Sequence, residues 1–185
     1  AKKLGYENYL ELGYIRLNRN CYGPADVARF RRQVVESMVP VVAEIKKAQA
    51  KRIGIADMKF YDDNFFYPDG NATPQGTPEE LLAAGEKMYT EMSPETAEFA
   101  KLLFGNELFD VLAKPGKAPG GYCTSLPAYK APFIFSNFNG TAGDVDVLTH
   151  EAGHAFADYV AARTIPILDL RSPTMEGCET HSMSM

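Results

Sequence analysis

Two of the three histidines in this 185-residue chain stand in one short run, His150-Glu151-Ala152-Gly153-His154. On an α-helix, side chains four residues apart stack on one face. Two imidazoles so placed can grip a single zinc ion, and the glutamate between them reaches a water at the metal. The pattern demands a helix, and one sunk into the protein. Its flanks agree: Leu148, Thr149, Ala152, Gly153, Ala155 and Phe156 bring no charge and no proline. We expect a helix over 144–162, with Asp144 or Asp146 as its N-cap. Gly153 costs such a helix about 1 kcal/mol relative to alanine, which makes sense where another backbone or a metal shell comes close. The bland alternative is a surface helix with two unpaired histidines. Against it, only Glu151 and Asp158 carry charge beside the histidines between His150 and Ala162.

A catalytic zinc site takes three protein ligands and keeps one position open. Asp158 lies one turn past His154 and extends the same helix face, so it does not close around a metal. After breaks at Ile165-Pro166 and Ser172-Pro173-Thr174, the chain reads Met175-Glu176-Gly177-Cys178-Glu179-Thr180-His181-Ser182-Met183. Glu176 and Glu179 are three apart and share a helix face. One carboxylate is a candidate ligand, and the other a candidate support for a ligand histidine through its free ring N–H. The spacing leaves both assignments open. Met175, Cys178, Met183 and Met185 favour a buried helix over a solvated acidic one.

The runs HEAGHAF and CETHSMSM, with APFIFSNFNGT upstream, resemble the oligoendopeptidase F branch of the thimet-oligopeptidase-like zinc metallopeptidases. The resemblance is most specific over 131–185. It implies a mainly α, zincin-like fold with a short β-ribbon beside the HExxH helix, one Zn²⁺ ion, and short peptides as substrates. In that family the third ligand is a glutamate 25 residues after the second histidine, which selects Glu179 and leaves Glu176 behind it. The implied reaction is metalloendopeptidase hydrolysis, with His150, His154 and Glu179 on the metal and Glu151 as general base. Family members are much longer. This chain opens on Ala1 and stops at Met185 inside an expected helix, so it reads as one piece of a larger enzyme. The alternative function is therefore a catalytically silent helical module that binds zinc or a partner. Apolar surface bared by truncation would favour oligomers.

The net charge of −5 shows no basic patch, which argues against nucleic acid. No apolar run is long enough to span a membrane. Cys21, Cys123 and Cys178 are odd in number and widely spaced, which fits a reducing cytoplasm.

We divide the chain into a helical part, 1–119, and a part with edge strands and zinc helices, 120–185. Val27, Phe30, Val34, Met38, Val41, Val42 and Ile45 recur at helical spacing and read as a core stripe. Pro40 should kink that helix or force a bulge, and Gly54 suits its C-cap. Residues 55–76 read as an irregular connection. Thr77-Pro78-Glu79-Glu80 is a capping box and Ser93-Pro94 starts the next helix; a short helix is expected over 107–113. Residues 122–125 and 131–138 are β-prone. Phe133, Phe135 and Asn137 are taken as the substrate-facing positions of an edge strand, with Pro132 marking the edge.

Overall fold

The structure, a computed structural model, describes residues 1–185 and divides into two compact units, 1–72 and 73–185.

In the first unit, α1 (Tyr9–Arg16) is capped by the Asn8 side chain, and α2 (Pro24–Gln33) runs into α3 (Val39–Ile53) through a π-helical turn at Val34–Met38. The turn answers Pro40. Proline has no N–H to continue the α ladder, and the Val39 N–H reaches back five residues to the Val34 carbonyl. Gly54 ends α3 at φ 74°, the left-handed cap expected of it. Residues 55–72 hold only one short 3₁₀ turn, pinned to α3 by Gln49, whose amide donates to the Asp63 and Phe65 carbonyls. The apolar stripe is a correction. Phe30, Met38, Val41, Val42 and Ile45 are exposed, because no other element of this unit lies over that face. Helical spacing reveals a face that wants cover; it does not reveal what covers it.

The second unit begins with α4 (Pro78–Met92). Thr77 Oγ1 accepts from the Glu80 N–H, and the Glu80 carboxylate accepts from the Thr77 N–H at 2.7 Å, a complete capping box. Ser93 caps α5 (Pro94–Gly105) in the same way through Thr96. A strand, β1 (Phe109–Leu112), follows where a helix was expected. Its aromatic and β-branched residues suit a strand, and the pairing offered by a neighbour outweighs any local helical preference. That neighbour is β3 (Ala131–Phe138), which runs parallel to β1 and antiparallel to β2 (Tyr122–Leu126). The sheet order is β1-β3-β2. Since β1 precedes residue 120, the change of character there is not a structural boundary.

This order overturns the edge-strand expectation for Phe133, Phe135 and Asn137. They belong to the central strand, paired on both sides, and the free edge beside the helices is β2. Pro132 is tolerated for a different reason. Ile134 sends its N–H to the Leu108 carbonyl of the β1 side, so the amide position two residues earlier also faces that side. It falls before β1 begins, since Ile134 is already opposite Phe109.

Two more helices complete the unit, α6 (Gly143–Thr164) and α7 (Met175–Ser182). Tyr89 and Phe99 of α4 and α5, Ile134 and Phe138 of β3, and Leu148, Ala152 and Ala155 of α6 form one buried cluster. The expected N-cap role of Asp144 or Asp146 is not observed: Ala142 holds the cap position. Asp144 sits instead in the first turn, buried, and its carboxylate accepts the Asn139 and Gly140 N–H groups at 2.9 and 2.8 Å. It thus ties the end of β3 to the start of α6.

Tyr89 is fully buried and donates to the Thr149 carbonyl at 3.4 Å, one residue before His150. Burial pushes its phenol up to about 12. The neutral form is favoured in the fold, so stability is intact below the unfolded value of about 10 and falls as pH rises towards 12. The loss amounts to about 3 kcal/mol. Urea midpoints at pH 9 and 11 should drop less in Tyr89→Phe than in the parent; equal drops would contradict this account.

Candidate metal centre

Along the run 150–154, α6 presents both histidines on one face. His150 and His154 have ring centroids 4.9 Å apart, and each turns its Nε2 towards α7. There Glu179 meets them. Its Oε2 lies 3.2 Å from His150 Nε2 and 3.7 Å from His154 Nε2. All three donor atoms fall within 4.8 Å of one another. Bonds of about 2.0–2.1 Å in a tetrahedron place donors about 3.3–3.4 Å apart, so the two carboxylate–imidazole separations and the two-nitrogen, one-carboxylate donor set fit a zinc ion.

Gly153 makes this meeting feasible. A β-carbon there would stand 2.7 Å from Ser182 Cα and 2.9 Å from the His181 carbonyl oxygen. The two helix backbones touch at a residue with no side chain, one position before His154. Ser182, to which the sequence pattern alone assigns no role, secures the other half. It is buried, and its hydroxyl donates to Glu179 Oε2 at 3.0 Å, the same oxygen that faces both imidazoles. The spacing Glu179-x-x-Ser182 on a helix was the available signal. Glu176 lies one turn before Glu179, exposed on α7.

Glu151 points from the same helix into the interior and is 7 % exposed. Burial raises its carboxyl above the usual range; His154 and His150 pull it down, Glu179 pushes it up, and the Cys123 backbone N–H, donating to it, lowers it. One of its oxygens, Oε2, is buried with no hydrogen-bond partner. Such an oxygen is costly unless it serves as an acceptor. Cys123 itself is an unreactive neighbour: burial first, then Asp158 and Glu151, push its thiol up to about 12.

These residues open onto a cleft of about 950 Å³. One wall is β2, from Tyr122 to Ser125, and another is α6 as far as Ile165. Phe133, Phe135 and Asn137 are elsewhere. Phe135 stacks on Tyr122 with centroids 4.9 Å apart, and the Asn137 amide donates to the Ala118 and Gly120 carbonyls at 2.9 Å each. Asn137 therefore holds the loop that leads into β2.

The family model for peptidase family M3 matches residues 1–185. The chain belongs to peptidase family M3. Among solved structures it is similar to a Bacillus anthracis str. Ames protein described as an oligoendopeptidase F, at 52% identity and a TM-score of 0.94. It is similar to PZ peptidase A with inhibitor 2, also at 52% identity and a TM-score of 0.94. All of this chain is covered in both, against 34% and 33% of those chains, so it spans about a third of their length. A peptidase from Chlamydophila abortus, at 18% identity and a TM-score of 0.61, shares the fold. No curated protein matches the chain. The likeness to oligoendopeptidase F, most specific in the residues 131–185, thus extends over all of 1–185, and the mainly α fold with a small sheet is as expected. No helix is long and apolar enough to cross a membrane.

Gly153→Ala separates two opposing effects. Helix propensity alone favours alanine by about 1 kcal/mol, whereas the contact with Ser182 forces α7 away from α6. We expect lower thermal stability and zinc affinity reduced about ten-fold or more, as for other losses of ligand support. Chelator competition measures the affinity. Unchanged affinity and a higher melting temperature would show that the helices do not depend on that contact.

Proposed function

We propose that this M3 chain carries the zinc site of a metalloendopeptidase that hydrolyses short oligopeptides. His150, His154 and Glu179 hold one Zn²⁺, and Glu176 supports a ligand from behind. The observation that carries the reading is the convergence of three donor atoms from two helices beside Glu151, a buried carboxylate with an unpartnered oxygen.

When bound, zinc polarises a carbonyl and lowers the pKa of a water from about 15.7 towards about 7. Glu151 takes a proton from the attacking water at its free oxygen, then delivers it to the departing amine. Its raised carboxyl suits both halves of that cycle, because it holds a proton more readily than an exposed glutamate does. The Cys123 N–H fixes the carboxylate against β2.

Substrate binding is assigned to the free edge of β2 in place of β3. Cys123 is opposite Ile134, whose amide turns to β1, so the pair exchanges no ladder bonds and Cys123 turns outward. Ser125, two residues on, turns the same way. The Cys123 carbonyl and the Ser125 N–H and carbonyl are then available to an extended peptide backbone. Main-chain pairing of this kind gives affinity with little side-chain preference.

The whole of 1–185 is read as one piece of a larger metallopeptidase domain. The bare apolar face of α2 and α3 supports self-association, and the three free cysteines support a cytoplasmic setting. Nucleic acid and membranes are not assigned as partners. One fact favours a second reading, a zinc-binding but catalytically silent module: the chain spans about a third of the length of the structures it matches.

A quenched fluorogenic peptide decides between them. The active reading expects cleavage that stops with chelator and in Glu151→Gln, while Glu151→Gln still binds one zinc. Zinc bound without cleavage in the parent chain supports the silent module. No zinc bound at neutral pH in excess metal would end both.

A further inference from the structure

The cleft runs past the metal ligands along α6, and its far end holds a cation with no counter-charge. Arg171 follows the short 3₁₀ turn Leu168–Leu170, is half-buried, and lines the same cleft as His150 and Glu179. Its Nε donates to the Ile165 carbonyl at 2.8 Å, at the C-cap of α6. That bond fixes the guanidinium plane, and neither terminal NH₂ group has a partner in the protein. The one other arginine of this unit contrasts with it: Arg163 spends its NH1 on the Lys130 and Tyr159 carbonyls and lies over the Tyr159 ring. A guanidinium with Nε anchored and both terminal nitrogens free is a fork shaped for a carboxylate.

We propose that Arg171 is a substrate-binding residue that receives a carboxylate of the peptide at the end of the cleft. This rests on the peptidase reading above. From His154 to Ile165 the helix advances about 16 Å at 1.5 Å per residue, and an extended peptide covers that length in about five residues. The carboxylate bound there lies about five residues from the bond being cut. It is either the C-terminus of a short peptide or an acidic side chain at that position. The first source gives the site a means of favouring short peptides, since a longer chain has no charged end at that distance. Asp158 lies on α6 between His154 and Ile165 and also lines the cleft, so a carboxylate held nearer the metal would be repelled and one at Arg171 would be spared.

The test uses the zinc-loaded 185-residue chain as Glu151→Gln and measures Kd by fluorescence anisotropy. Three peptides of one sequence are compared, labelled at the N-terminus: the free acid, the C-terminal amide, and the amide with glutamate five residues beyond the central bond. We expect the acid to bind about ten-fold more tightly than the plain amide. A glutamate amide that binds more tightly than the plain amide shows that a side-chain carboxylate serves; one that binds like the plain amide, beside a tight free acid, shows that the terminus does. Arg171→Gln should erase the acid–amide difference while zinc content stays at one per chain. A merely structural role in capping α6 would weaken all three peptides alike. Equal binding of all three peptides, or a carboxylate-dependent gain that survives Arg171→Gln, overturns the inference. Absence of peptide binding overturns it too, and bound zinc in that sample shows that the metal site itself stands.

Discussion

The centre depends on one backbone contact, that of Gly153 with Ser182 and the His181 carbonyl. Two helices separated by an irregular segment must come close enough for a glutamate on one to face the histidines on the other. Any β-carbon at 153 stands in the way. The glycine weakens α6 as an isolated helix, and the weakness is offset by burial: Leu148, Ala152 and Ala155 join the aromatic cluster of Tyr89 and Phe99. The same contact seats buried Ser182 where its hydroxyl donates to the Glu179 oxygen that faces both imidazoles. Helix packing and the geometry of the three side chains are therefore one arrangement.

Charge placement around that contact follows a consistent logic. Asp144 is buried, but it is satisfied by two backbone N–H groups and serves as a tie between β3 and α6. Glu151 is buried and left with an oxygen unsatisfied, against a strand whose Cys123 amide turns out to meet it. A protein tolerates the first at little cost and the second only where the unsatisfied group has work to do. The free edge of β2 comes with this geometry, because the strand that supports Glu151 has no partner on its other side.

Much of this was legible in the residues. The HExxH spacing announced a helix with two imidazoles on one face, and the capping box at Thr77 and the Ser93-Pro94 start announced where α4 and α5 begin, because these are local rules acting within one turn. The meaning of Gly153 was also legible, as a demand for close approach. What the residues did not reveal was pairing. Ala131–Phe138 alternates as a strand should, yet alternation carries no information on whether one neighbour or two lie alongside, so a central strand was read as an edge. Phe109–Leu112 is short enough that its neighbour β3, distant in sequence, decides its conformation. The stripe on α2 and α3 was sound as a pattern, but its core reading assumed a covering element that the first unit lacks.

The most direct test of the centre is zinc K-edge X-ray absorption on the chain loaded with one equivalent of metal. The account predicts two imidazoles and carboxylate oxygen at about 2.0–2.1 Å in a four-coordinate shell. Cys178 lies beside Glu179 in the same cleft, so a sulfur at about 2.3 Å, or a shell with fewer than two imidazoles, would contradict it.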